Sequence, residues 1–272
     1  MVLVQSTLDE MLAKVREMDP ETRAKVEQMV RDEDGDAIWL PNPGPQNAAH
    51  RSEADLLLYG GAGGGGKTDL IIGLALTQHV NSLMLRPQYT DLGGLIERTV
   101  KIAGTRSGLN SSPPPRFKFG ERTIDFGAAA NMEKAETWQG RPHDGIFFDE
   151  ACQFQEDVVR FLMGWNRVAD DDLDNVSNQR VRTVMASNPP ISAEGEWVIG
   201  MFRPWLDITH SNPAKHGELR WFITDPDGRD MEVEGPEPLE LDGLIYKPKS
   251  RTFIPAMLSD NPFLAGTGYQ AT

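Results

Sequence analysis

The segment Gly61-Ala62-Gly63-Gly64-Gly65-Gly66-Lys67-Thr68 fits the pattern G-x-x-x-x-G-K-[ST], and its flanks narrow what it can be. The apolar run Leu56-Leu57-Leu58-Tyr59 precedes it, and Leu70, Ile71, Leu74 and Leu76 follow at spacings a helix can bury. Glycines let the backbone fold back so that several N–H groups point at one phosphate, and a helix starting there adds its positive dipole end. A chance match in a chain of this length is expected about 1–2% of the time, and the strand–loop–helix setting argues against chance. On this reading Lys67 reaches the β- and γ-phosphates of ATP, and the Thr68 hydroxyl ligates Mg²⁺.

The chain has 272 residues, enough for one large domain or a core with a smaller subdomain. With 39% apolar and 25% charged residues it can bury a sizeable core, which excludes a wholly disordered or disulfide-stapled protein. Cys152 is the only cysteine, so no internal disulfide is possible. No apolar run approaches the roughly 18 residues of a membrane span, and the N-terminus lacks the pattern of a signal peptide. A soluble, cytosolic protein without a membrane partner is expected. Lys and Arg number 27 against 41 Asp and Glu, a net charge of −14. So acidic a chain cannot hold nucleic acid over its whole surface, and any strong DNA contact should be a local patch or lie on another polypeptide.

Residues 1–35 read as an N-terminal helical segment, with Leu8, Met11, Leu12, Val15 and Met18 at three- and four-residue spacing and a break at Asp19-Pro20. Residues 36–190 read as the core. A short helix at about 46–53 leads to the strand at Leu56, and further buried-type strands fall at Ser82–Leu85, Gly145–Phe148 and Val181–Met185. Continuous apolar runs separated by helices indicate parallel strands covered on both faces. A hairpin is expected across Arg116–Phe119 and Thr123–Phe126. Residues 191–272, with Trp221-Phe222-Ile223-Thr224 and the acidic stretch to Asp242, read as a smaller strand-and-loop subdomain.

Ile146-Phe147-Phe148-Asp149-Glu150 is an apolar strand ending in two carboxylates, which places them at the sheet edge that also carries the glycine loop. Asp149 is then the metal carboxylate, and Glu150 is the general base that polarises an attacking water. Val184-Met185-Ala186-Ser187-Asn188-Pro189 is a second such strand. Its Ser187 and Asn188 either meet the γ-phosphate or simply form an Asn-Pro turn. The histidines His50, His79, His143, His210 and His216 show no metal-ligand spacing, and Trp138, Trp165, Trp197, Trp205 and Trp221 read as packing residues.

From about Trp39 onward the chain resembles the ATPase domain of the large terminase subunit of tailed bacteriophages, the motor that packages DNA. Pro43-Gly44-Pro45-Gln46 resembles the family's adenine-contacting segment, which implies Gln46 as adenine reader. Leu85-Arg86-Pro87-Gln88-Tyr89 resembles its arginine-bearing segment, which implies Arg86 as the arginine that stabilises transition-state charge, with Arg98 and Arg141 as alternatives. Trp138-Gln139-Gly140-Arg141-Pro142-His143-Asp144 leads into the Asp-Glu strand as in that family, Ser187-Asn188-Pro189 corresponds to its coupling motif, and Thr252 to Leu264 resembles the segment closing its ATPase region.

The resemblance implies a P-loop NTPase of the additional-strand, catalytic-glutamate type: a mainly parallel α/β sheet with helices on both faces and a small lid subdomain. It implies Mg²⁺-dependent ATP hydrolysis driving viral double-stranded DNA into a procapsid in the host cell cytoplasm. The partners implied are that DNA, the portal and procapsid, the small terminase subunit and further copies in a ring. The family usually continues into a two-metal nuclease domain, which is expected to be absent, so no nuclease activity is expected. A helicase-like or recombination ATPase, and a nucleotide-dependent assembly switch, are the alternative readings.

Overall fold

The computed structural model describes residues 38–61, 63–168 and 179–261, together with Met18, Asp19 and Thr22. The helical reading of residues 1–35, apart from those three residues, the site assignment of Ala62 and residues 262–264 of the closing segment therefore lie outside the described residues.

Twelve strands are present among the described residues: β1 (Leu56–Gly61), β2 (Asn81–Arg86), β3 (Leu109–Asn110), β4 (Arg116–Phe119), β5 (Arg122–Ala128), β6 (Gly145–Asp149), β7 (Arg182–Ser187), β8 (Arg220–Thr224), β9 (Asp230–Val233), β10 (Leu239–Leu241), β11 (Leu244–Tyr246) and β12 (Lys249–Ala256). Ten form one sheet in the order β3-β4-β5-β2-β6-β7-β1-β12-β8-β9, and β10 and β11 form a separate two-stranded ribbon. The run from β5 through β2, β6, β7 and β1 to β12 is parallel, while β3, β4, β8 and β9 add antiparallel edges. β7 lies between the glycine-loop strand β1 and the Asp-Glu strand β6, which is the additional-strand arrangement of a P-loop NTPase.

Among the described residues the named α-helices are α1 (Pro45–Arg51), α2 (Lys67–Thr77), α3 (Leu92–Ala103), α4 (Met132–Glu136), α5 (Glu156–Met163), α6 (Trp197–Met201) and α7 (Arg203–Leu206). They cover both faces because the strands bury both. Leu57, Tyr59, Met84, Phe147 and Val184 pack under α2 and α3, and alternate residues Leu56, Leu58, Leu83, Phe148 and Met185 pack under α5, α6 and α7. Truncating any of the fully buried leucines here to Ala should cost about 2–5 kcal/mol. Among the described residues no helix is long and apolar enough to cross a membrane.

The segment after residue 190, read from the sequence as a smaller strand-and-loop subdomain, contributes β8, β9 and β12 to this same sheet. β12 pairs in parallel with β1 along its length, Leu56 opposite Arg251 through Gly61 opposite Ala256. The edge is stitched to the body by Asp230 on β9, which accepts from Arg160 of α5 at 2.9 Å and from Arg251 of β12 at 2.8 Å. Arg251 also lies over the Phe222 ring, 4.4 Å from its centroid.

Candidate functional site

All the parallel strands end on one edge, so Gly61, Arg86, Asp149, Ser187 and Ala256 gather there from sequence positions far apart. The loop after β1 turns into α2 through Gly66, which holds the left-handed conformation at φ 71° and caps the helix. A Cβ at Gly66 would be strained and would sit 2.9 Å from Nε2 of Gln46.

Lys67 opens α2 with its side chain largely buried, and burial lowers its ammonium pKa against the raising effect of the Glu150 and Asp149 charges. Those opposing carboxylates show where the lysine sits relative to the end of β6. The Thr68 hydroxyl lies 3.3 and 3.2 Å from the two Asp149 oxygens. Asp149, only 1% exposed, is pushed up by burial and held down by the Arg86 guanidinium, by Thr68 and by Lys67, with burial the stronger influence. Arg86 donates from Nε to Asp149 Oδ2 at 2.9 Å, and its Nη2 contacts the same oxygen.

Glu150, the next residue, adopts a left-handed backbone at φ 62°, ψ 48°. For a non-glycine residue such a conformation costs on the order of 1–3 kcal/mol and persists only where its surroundings impose it. Its carboxyl pKa is raised, first by burial and then by the Asp149 charge beside it. A half-buried glutamate with a raised pKa next to a metal-type carboxylate is a competent proton acceptor.

The donor set fits Mg²⁺. Among the described residues no cluster of three or more His, Cys, Asp and Glu side chains could cage a metal by protein ligands alone. Mg²⁺ does not require one, because it keeps several waters and binds through one or two protein oxygens plus substrate phosphates. The convergent Thr68 hydroxyl and Asp149 carboxylate are such a pair.

The remaining sequence-predicted residues are distributed unevenly around this centre. Gln46 is 4% exposed, and its amide accepts from the Asn42 N–H at 2.5 Å and donates to the Gly66 carbonyl at 3.0 Å, so it lies against the loop. Ser187 is buried at the end of β7, where its hydroxyl accepts from the Cys152 N–H at 3.1 Å, two residues past Glu150. Asn188 is exposed. Of the alternatives to Arg86, Arg98 donates from Nε to Asp69 at 2.7 Å and Arg141 rests over Trp138, 5.4 Å from its ring centroid, whereas Arg86 is the one paired with Asp149.

Two contacts lie outside the roles assigned from sequence. Tyr59 donates to the Gly65 carbonyl at 3.2 Å, and Asn261 donates to the Gly64 carbonyl at 2.7 Å. Both residues lie in motifs the sequence singled out, but nothing in their spacing says that they turn toward the loop. An apolar cavity of about 190 Å³ adjoins the site on its other side, lined by Leu58, Pro190, Val198, Ile199, Leu206 and Phe253.

No family model and no curated protein matches the sequence. Among solved structures the chain is similar to the large terminase of a thermophilic bacteriophage, at a TM-score of 0.45 and 13% identity, covering 81% of this chain and 46% of that one. An ADP complex of that protein gives a TM-score of 0.38 and 17% identity, over 53% of this chain and 38% of that one. A mutant ATPase domain of a Thermus phage large terminase gives 0.41 and 13%, over 83% of this chain and 84% of that one. The chain thus spans less than half the length of the first bacteriophage terminase structures it matches.

Proposed function

We propose that this chain is the ATPase domain of a viral DNA-packaging motor, hydrolysing Mg²⁺-ATP to move double-stranded DNA into a procapsid. One observation carries the ATPase part. The glycine loop with Lys67, the Thr68–Asp149 oxygen pair and the left-handed, elevated-pKa Glu150 converge on a single sheet edge. The packaging part rests on the ordered series of motifs from Trp39 to Leu264.

In this reading the loop N–H groups and Lys67 hold the β- and γ-phosphates, and Thr68 and Asp149 hold the ion. Mg²⁺, when bound, neutralises charge developing between the β- and γ-phosphates. Glu150 accepts the proton of the attacking water, and its raised pKa brings it closer to the pH at which it must exchange that proton. Arg86, paired with Asp149 in the ligand-free protein, would on release supply positive charge to the γ-phosphoryl group. Ser187, tied to the segment just after Glu150, and the exposed Asn188 carry the γ-phosphate state toward the segment after residue 190.

The test is steady-state Mg²⁺-ATP turnover across protein concentrations, with Glu150→Gln as control. Turnover that falls by about 10²–10⁴-fold in the variant supports the assigned base. A rise of turnover per chain with concentration supports completion of the site by a neighbouring copy. Binding of ATP with no Glu150-dependent turnover at any concentration overturns the enzyme reading.

A further inference from the structure

We propose that Gln46, Tyr59 and Asn261 are positioning residues that set the phosphate loop for its ligand by holding three consecutive loop carbonyls. The proposal rests on the phosphate-binding reading above. Asn261 Nδ2 donates to Gly64 O at 2.7 Å, Tyr59 Oη to Gly65 O at 3.2 Å, and Gln46 Nε2 to Gly66 O at 3.0 Å. The three donors come from the turn after β12, from β1 itself and from α1. In sequence, Asn261 lies 197 residues from its acceptor.

In a trans peptide unit the C=O and the following N–H point in opposite directions. Fixing the carbonyls of Gly64, Gly65 and Gly66 toward these side chains therefore turns the N–H groups of Gly65, Gly66 and Lys67 the other way, toward the space a phosphate would fill. The anchors answer a problem the loop creates for itself. Glycine loses more conformational freedom on ordering than any other residue, and backbone ordering costs about 1–2 kcal/mol per residue. A run of glycines needs its order supplied from outside, and order supplied before binding is not charged against affinity.

Gln46 thereby has a task distinct from reading adenine. Its amide oxygen is engaged by Asn42 N–H at 2.5 Å while its nitrogen holds Gly66, which leaves the side chain buried under the loop. Tyr59 is 1% exposed, so its hydroxyl faces the loop from within the core.

The experiment measures equilibrium binding of ADP, GDP and inorganic tripolyphosphate, each with Mg²⁺, to the full chain and to Gln46→Ala, Tyr59→Phe and Asn261→Ala. Lys67→Ala serves as the control for the site itself. Each anchor variant is expected to weaken all three probes by a common factor of about 5- to 30-fold, leaving the ADP-to-tripolyphosphate ratio unchanged. Backbone amides of Gly65 to Lys67 should also exchange faster in the ligand-free variants. Tyr59→Phe removes a single oxygen and keeps the ring, so it carries the test even where Gln46→Ala fails to fold.

Loss of ADP binding with wild-type tripolyphosphate affinity in Gln46→Ala overturns the proposal for that residue, because it would then be reading the base. Wild-type affinity for every probe in Tyr59→Phe and Asn261→Ala overturns it for the loop. A wild-type chain that does not bind tripolyphosphate, or a Lys67→Ala variant that binds it unchanged, instead overturns the phosphate-site reading underneath.

Discussion

Replacing Arg86 by Ala should destabilise the ligand-free protein, and Mg²⁺ with ADP should restore most of what is lost. Asp149 is 1% exposed, and its carboxylate depends on Arg86 and on the Thr68 hydroxyl at 3.2 Å. Breaking a buried ion pair by removing one partner typically costs about 3–5 kcal/mol. Here the Arg86 side chain is 23% exposed, so water can enter its place, and Thr68 and Lys67 stay nearby. The expected cost is therefore nearer 2–3 kcal/mol, or roughly 4–12 °C in Tm for a domain of this size. A metal ion at Thr68 and Asp149 would replace the missing guanidinium as counter-charge. The Tm increase on adding Mg²⁺ and ADP should accordingly be larger in Arg86→Ala than in the wild type. Thermal denaturation of both proteins with and without Mg²⁺ and ADP measures the four values. A variant within about 1 °C of wild type without ligand, at that scale of degrees per kcal/mol, would refute the claim that Asp149 depends on Arg86.

Asp230→Asn should destabilise by about 3–5 kcal/mol in urea denaturation, because the nearly buried Arg251 loses its counter-charge while Arg160 keeps only Glu156. Acid unfolding should be shaped by Asp125. Burial alone would raise its carboxyl, but hydrogen bonds from His143 and Arg116 outweigh burial and hold it at about 2. Its folded pKa lies below its ordinary value, so its contribution is complete above pH ~4 and lost as pH falls toward about 2. Asp125→Asn should flatten the stability curve across that interval, measured by urea midpoints at successive pH values. Gly73→Ala, favoured by about 1 kcal/mol on helix propensity, should instead destabilise, because the added Cβ would lie 2.2 Å from the Trp39 indole and overpacking costs about 1–3 kcal/mol. Trp39 fluorescence should shift in the same variant.

The parallel core was legible because its signals are local. Leu56-Leu57-Leu58-Tyr59 is buried on both faces and reads as such, and the glycine loop, the Asp-Glu strand end and the Arg116–Phe126 hairpin each declare themselves within a few residues. The chain after residue 190 shows mainly polar, turn-rich texture in its sequence, which conceals its place in the sheet. β12 contains Pro255 and opens on four polar or charged residues, Lys249 to Thr252, which hides a strand buried against β1. Its polar residues are satisfied by partners remote in sequence: Ser250 by Asp55, Arg251 by Asp230 and Thr252 by the Glu218 carbonyl. No periodicity rule sees such pairs. The same limit hid the loop anchors. Gln46 and Asn261 stand out as motif members, but which atom each one holds is decided only when α1 and the end of β12 are brought beside Gly64 and Gly66.

The position of β12 changes how the proposed coupling can work. The glycine loop leaves β1 between two parallel neighbours, with β7 ending at Ser187 on one side and β12 ending at Ala256 on the other. Cβ atoms added at Gly60 and Gly61 would strike the Ser187 and Ala256 carbonyls respectively, so the loop rests directly on both strand ends. On the first side the route runs from Ser187 through the Cys152 N–H to the segment that carries Glu150. On the second it runs from Ala256 through the turn at Leu258–Asp260 to Asn261 and the Gly64 carbonyl. A lid hinged beyond the site would have to signal across a gap, but a segment that itself forms the wall of the phosphate loop does not. Displacing β7 would move the segment that carries Glu150, and displacing the turn after β12 would release the Gly64 carbonyl. The segment after residue 190 joins both ends of this arrangement, because it leaves β7 and returns as β12. In the proposed coupling, motion of that segment on phosphate release would have two short paths to the site, each made of a single hydrogen bond past the end of a strand.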